Sequence, residues 1–208
     1  MKPGKIIVLN GTSSSGKTSI IHALQQIMDE PYLEAGFDKF LWMLPAKFLK
    51  RPLYLDVLDY DQMELGGESM RVLRARRIAF QFVDGMHHAA LAMVQAGNNV
   101  IIDHILFEPA WVKQCAVLFC GYWALLVGVR CPLAVIQERE KQRGDRTLGI
   151  APGHFHWIHQ HGIYDLEVDT SVQSTMECAL QIKQLIDEGI PPKAFRLIRE
   201  NLCGSSRG

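Results

Sequence analysis

The sequence predicts an α/β fold, a mainly parallel sheet with helices on both faces. Three observations carry that expectation. Short apolar runs alternate with longer amphipathic stretches along the 208 residues. Runs such as KIIVLN and NVIID read as strands buried on both faces. A Gly/Ser-rich turn joins the first run to a helical stretch.

The elements follow in order. Residues 5–10 form a buried strand. Residues 17–29 form a helix with Ile20, Ile21, Leu24, Ile27 and Met28 on one side. Residues 32–37 are a weak second strand. The spacing over 70–96 predicts a long helix, ended by Gly97-Asn98. Residues 99–103 are strand, 111–119 helix and 123–129 strand (WALLVGV). A helix over 132–143 opens on Pro132, where a missing N–H costs little. A short strand at 166–169 and a helix at 175–187 complete the alternation. Residues 44–67 resist placement and read as an insertion over the substrate side. The tail 189–208 carries an amphipathic stretch at 193–202.

Size and composition fit a single domain over 1–208 with one sizeable core. Lys+Arg and Asp+Glu each number 22, so no global basic field attracts nucleic acid. Five cysteines without a C-x-x-C pair read as reduced thiols of a cytoplasmic protein. The apolar stretch 6–9 is short for a secretory signal. The uncharged stretch 114–129 falls short of a membrane span and is interrupted by Gly121. Neither a nucleic-acid nor a membrane partner is expected, and the oligomeric state stays open.

Gly11-Thr12-Ser13-Ser14-Ser15-Gly16-Lys17-Thr18 matches G-x-x-x-x-G-K-[ST] in full, between a strand and a helix. The glycines let the backbone curl around phosphate oxygens, and the curled N–H groups and helix N-terminus attract anions. Lys17 can reach β- and γ-phosphates, and the Thr18 hydroxyl can coordinate Mg²⁺. The chain has no D-x-x-G or N-K-x-D, so a GTPase switch is excluded. It has no H-R-D-x-x-x-x-N, so a protein kinase is excluded.

A small-molecule or nucleotide-type kinase remains, and it needs an acceptor-side carboxylate, a metal-side carboxylate and cations over the transferring group. Asp38 follows the second strand, at the sheet edge where ligands collect, and reads as the catalytic carboxylate or as a helix N-cap. Asp103 closes the strand NVIID as a metal-side carboxylate or a cap. The run from Glu138 to Arg146 surrounds Gly144 with cations and reads as a lid over 143–154 or a solvated helix face. Within it, Arg143 and Arg146 suit the transferring phosphoryl, and Arg139 suits the nucleotide.

At these residues the chain resembles the chloramphenicol phosphotransferase family. The resemblance lies in IIVLNGTSSSGKTSI, EPYLEAGFDKF, VIID, GVRCPLAVIQEREKQRGDRTLGIA and YDLEVDTSVQSTMECA, in that order. It implies a three-layer P-loop kinase fold with a mainly parallel five-stranded sheet. It also implies ATP and Mg²⁺ as co-substrates and phosphorylation of a primary hydroxyl on an antibiotic. By the same resemblance Asp38 stands where the family's general base sits, Lys17 and Thr18 carry the cradle roles, and Arg143–Arg146 falls in the cationic lid. One departure concerns the residue after Asp103. The family can carry a second Asp there, and this chain has His104.

Lesser candidates complete the reading. His154, His156, His159 and His161 share a short stretch read as one helix, His159 where the family also has a histidine. Trp42, Met43, Leu44, Leu53 and Tyr54 read as core or as an acceptor pocket. Asp169-Thr170-Ser171 reads as the approach to a base or as the cap of the last helix. The leading expectation is an ATP-dependent kinase for a small-molecule hydroxyl. A kinase for a nucleoside or other metabolite and a non-catalytic nucleotide-binding regulator are the alternatives.

Overall fold

The computed structural model describes residues 2–65, 68–143, 155 and 157–204. Strands β1 (Ile6–Asn10), β2 (Tyr32–Gly36), β5 (Asn99–His104), β6 (Ala124–Arg130) and β7 (Leu166–Asp169) form one sheet in the order β2-β5-β1-β6-β7. Every pairing in it is parallel. The central strands β1, β5 and β6 are apolar along most of their length because both faces are covered.

Strand alternation divides the core in two. Ile7, Leu9, Ile101, Leu125 and Val127 face helices α1 (Lys17–Ile27) and α6 (Thr175–Asp187). Ile6, Val8, Val100, Ile102 and Leu126 face α3 (Arg77–Gln95), α4 (Pro109–Phe119) and α7 (Ala194–Gly204). Between these layers β1 ends at the sheet's carboxyl edge beside β5 and β6, the crevice where open α/β sheets bind ligands. Helix α2 (Phe37–Leu41) follows β2, and α5 (Leu133–Arg143) follows β6.

The expected helix over 70–96 needs correction. Residues 70–75 belong to strand β4 (Glu68–Ala75), which pairs antiparallel with β3 (Leu58–Leu65), and the helix is α3 alone. Arg76 breaks the two apart with extended backbone, φ −108° and ψ 178°. The stretch that resisted placement holds 3-10 turns at Ala46–Leu49 and Leu53–Asp56 before the hairpin. Ala75 N–H donates to Glu108 Oε1 at 2.9 Å, tying the hairpin to the start of α4. Among the described residues no helix is long and apolar enough to cross a membrane.

Candidate active site

The loop between β1 and α1 has the shape its glycines allow. Gly16 sits at φ 96°, and Ser14 adopts φ 61° beside it. A Cβ on Gly11 would lie 2.7 Å from both Ser15 Oγ and the Val129 carbonyl oxygen. Thr12, Ser13, Ser15 and Lys17 are buried. Lys17 Nζ donates to the carbonyls of Gly11 at 2.9 Å and Thr12 at 2.8 Å. The ammonium thus folds back over the loop, 3.6 Å from Asp103 Oδ1.

Thr18 Oγ1 donates to Asp103 Oδ2 at 2.7 Å. Asp103 reaches it because β5 pairs with β1 in the register Leu9 to Asp103. Gly36 of β2 lies against Asp103 on the other side. Asp38 then falls in the first turn of α2. Gly36 is at the N-cap position and no side chain caps the helix, so Asp38 is not its cap. Asp38, Asp103, Lys17, Thr18 and Arg139 line one cavity of about 420 Å³, with Ser13, Ser14 and Gly16 at its base.

Arg139 joins three segments. It donates to Thr170 Oγ1 at 2.9 Å and to the Thr170 carbonyl at 2.7 Å, and Thr170 Oγ1 donates to the Ser15 carbonyl at 2.8 Å. Helix α5, the β7–α6 connection and the phosphate loop are thereby held together. Helix α6, which follows this segment, is capped instead by a Ser174/Glu177 capping box. Asp169 does not cap it; its Oδ1 accepts from Ser171 N–H and Oγ. Arg143 closes α5, but its side chain, Arg146 and the rest of the expected lid, 144–154, lie outside the described residues.

The histidine stretch also differs from the one-helix reading. Residues 157–161 are a turn, and His154 and His156 lie outside the described residues. His159 and His161 flank Tyr164, whose hydroxyl is 2.6 Å from His159 Nδ1. Burial first, then the Arg130 charge, holds His159 down to about 3. Burial lowers His161 to about 4, so both rings are neutral at pH 7. His159 lines a separate small cavity with Thr12 and Arg130. Of the acceptor-pocket candidates, Trp42 and Met43 are exposed, and Leu53 is partly so. Leu44 and Tyr54 pack on the core. Burial, then Tyr60 and Asp38, raises the Tyr54 phenol.

One residue escaped the sequence reading. Asn10, just before the loop, donates from Nδ2 to Tyr164 Oη and the Ile158 carbonyl, each at 2.7 Å, and lies 3.3 Å from His161 Nε2. Its Oδ1 accepts from Leu106 N–H at 2.8 Å. A polar residue ending an apolar strand was the available signal.

The cleft's chemistry fits a nucleoside triphosphate and a divalent cation. The buried Ser14 and Ser15 hydroxyls have no partner among the described residues, which suits a ligand rich in acceptor oxygens. Thr18 and Asp103 offer hard oxygen donors to a cation of the Mg²⁺ type.

Comparison with known proteins agrees. The profile of the chloramphenicol phosphotransferase-like protein family matches residues 4–187. A Mycobacterium tuberculosis protein that carries the provisional name O-phosphotransferase is 30% identical over 205 residues, 96% of this chain and 90% of the relative. Among solved structures, a sugar kinase from Janibacter superposes with TM-score 0.63 at 16% identity, covering 89% of this chain and 95% of that one. The APS kinase of M. tuberculosis gives TM-score 0.61 at 16% identity, with 90% and 99% covered. A gluconokinase from Sinorhizobium meliloti gives 0.56 at 15% identity, with 99% of each chain covered. These likenesses establish the P-loop kinase fold. Joined to the family match and the relative's 30% identity, they make the chain a small-molecule kinase, and it belongs to the chloramphenicol phosphotransferase-like family.

Proposed function

We propose that the chain transfers the γ-phosphoryl group of ATP to a hydroxyl of a small molecule, with chloramphenicol the first acceptor to test. The observation that carries this reading is the shared cleft, where Asp38 faces the same cavity as Lys17, Thr18 and Asp103. A nucleotide-binding module without chemistry would have no need of Asp38 there.

In the proposed step Asp38 accepts the proton of the acceptor hydroxyl as its oxygen bonds to the γ-phosphorus. The bond from that phosphorus to the β–γ bridging oxygen breaks, and ADP leaves with the electron pair. Lys17 stabilises the negative charge on the phosphates, and positioning supplies most of the rate. Arg139 is proposed to hold the nucleotide side through its clamp on Thr170. Arg143 and Arg146 are proposed to close over the phosphoryl group and exclude water. Thr18 and Asp103 would hold Mg²⁺, which when bound neutralises phosphate charge. A cytoplasmic location belongs to the same proposal, supported by five free cysteines.

The test is an acceptor panel. Purified protein, Mg²⁺ and ATP are incubated with chloramphenicol, nucleosides and simple sugars or alcohols, and products are weighed by mass spectrometry. A phosphorylated acceptor and a loss of about 10²-fold or more in Asp38→Ala, with ATP binding retained, are expected. A nucleoside or sugar product would redirect the acceptor alone. Tight ATP binding with no product from any acceptor would return the chain to a regulatory role, and near-normal transfer by Asp38→Ala would remove that residue from the mechanism.

A further inference from the structure

A third cavity, of about 500 Å³, lies on the α4 and α7 side of the sheet. That volume suits a small organic ligand. Leu106, Phe107, Val112, Ile163, Ile198 and Leu202 supply apolar walls. The charged groups on it are Arg74 and Lys113, and no carboxylate is among its described lining residues. Asp61 lies 3.6 Å from Arg74 Nε, so Lys113 is the less compensated cation.

Trp157 supplies the independent observation. Its indole Nε1 is buried without an acceptor among the described residues, and it lines this cavity. A buried donor without an acceptor carries a desolvation cost that a ligand oxygen would remove. The Arg74 guanidinium lies over the same ring, 5.8 Å from its centroid. Apolar walls, two cations and an unpaired N–H describe the complement of an amphipathic anion.

The cavity is also tied to the cradle. His161 and Leu106 line it, and both contact Asn10, the residue before Gly11. Three of its residues, Ile198, Asn201 and Leu202, come from α7, beyond the stretch that the family profile matches.

We propose that this cavity is a second small-molecule site, separate from the nucleotide cleft, that binds a ring system or short acyl chain bearing a single anionic group. The proposal does not depend on the transfer reaction. The probe is 8-anilinonaphthalene-1-sulfonate, titrated by fluorescence and equilibrium dialysis into the full chain with saturating Mg²⁺ and ATP. One site per chain is expected, retained with nucleotide present. Lys113→Gln, a surface change, should weaken binding about tenfold, the scale of one charge-assisted hydrogen bond. Leu202→Trp, which fills the cavity, should abolish it, while Leu180→Ser, at an exposed position of α6, should leave it unchanged. The uncharged N-phenyl-1-naphthylamine should bind at least tenfold more weakly. Displacement by ATP would assign the probe to the nucleotide cleft, and displacement by the phosphorylated acceptor would make the cavity the acceptor pocket. Either result overturns the proposal, as do equal binding of the neutral probe, no saturable binding, or an unchanged titration in both cavity variants.

Discussion

Gly36→Ala tests whether the two carboxylates are set by the packing of β2 on β5. Gly36 is extended, φ 169° and ψ 166°, so alanine brings no backbone strain. The penalty is contact: its Cβ would lie 2.8 Å from the Asp103 carbonyl oxygen and 2.9 Å from Asp103 Cβ. Ordinary contact begins near 3.4 Å, so strand and carboxylate must part by roughly half an ångström. Overpacking of this kind costs about 1–3 kcal/mol. Asp103 would shift against Thr18 Oγ1 at 2.7 Å and Lys17 Nζ at 3.6 Å, and Asp38 would shift with β2. A displacement of about 1 Å can cost roughly 10²-fold in rate, so half that predicts about a tenfold loss. Urea unfolding followed by tryptophan fluorescence reads the stability, and initial rates of phosphate transfer from ATP read the chemistry. ATP affinity without Mg²⁺ should change little, because the phosphate loop is untouched. Gly85→Ala is the control, since its Cβ meets nothing within 4 Å and should stabilise α3 by about 0.5–1 kcal/mol. Wild-type stability and wild-type rate in Gly36→Ala would refute the packing argument.

Two further predictions concern stability. Asp165 Oδ2 accepts from Leu126 N–H at 2.9 Å, and Oδ1 accepts from the N–H groups of Lys193 and Ala194 at 2.6 and 2.9 Å, so it joins β6 to the start of α7. Asp165→Ala should cost about 2–4 kcal/mol by leaving those donors unpaired, and Asp165→Asn less; equal melting curves for all three would sink this assignment. His87 is buried and burial lowers it to about 4, below its ordinary 6.5. The unfolded chain then binds more protons between those values, so stability is present above about 6.5 and lost as pH falls toward 4. At pH 4.5 this amounts to roughly 2–3 kcal/mol, which His87→Gln should remove from the pH dependence; parallel denaturation curves across pH 8 to 4.5 would contradict it.

Strands β1, β5 and β6 were legible because burial on both faces leaves apolar runs that need no tertiary information, whereas the edge strands β2 and β7 are only partly buried and offer a weaker signal. Strand β7 was located to the residue, β1, β2 and β5 differ from expectation by one residue at one end, and β6 is shifted by one residue at both ends. The hairpin was not legible. Met70, Leu73 and Ala75 have high helix propensity, and no Gly or Pro separates β4 from α3. Val72 and Leu73 are both buried, so the alternation that marks a strand is absent. What makes the segment a strand is its partner, with Leu58 paired to Ala75 and Met63 to Met70. The cradle was visible as a local motif, whereas the meeting of Asp103 with Thr18 depends on β5 lying beside β1. Asn10 was invisible for the same reason, since its partners lie about 100 to 150 residues away.

His104, where the family can carry a second aspartate, raises the question of what the substitution does to the cleft. Strand alternation answers it. Ile101 and Asp103 face the α1 side, while Ile102 and His104 face α3 and α4. Position 104 therefore points away from Thr18, and a residue there has no direct access to the cation that Thr18 and Asp103 would hold. His104 Nε2 is instead 2.7 Å from His87 Nε2, with Cys115 Sγ 3.4 Å from the same atom. Such a His–His–Cys group has the ligand types of a metal site. Its hydrogen bonds point the other way. Ile105 N–H donates to His104 Nδ1 at 2.8 Å, so in the neutral ring the proton resides on Nε2 and is donated to His87 Nε2. His87 then carries its proton on Nδ1, 2.6 Å from Gln114 Oε1, and Gln114 Nε2 donates to Asp84. Each link has one donor and one acceptor, and the lone pair a metal would take from His104 is already protonated. The three residues are thus a satisfied relay in the core. The departure at 104 ties the end of β5 to α3 and α4, and it leaves Asp103 as the carboxylate of that strand facing the phosphate loop.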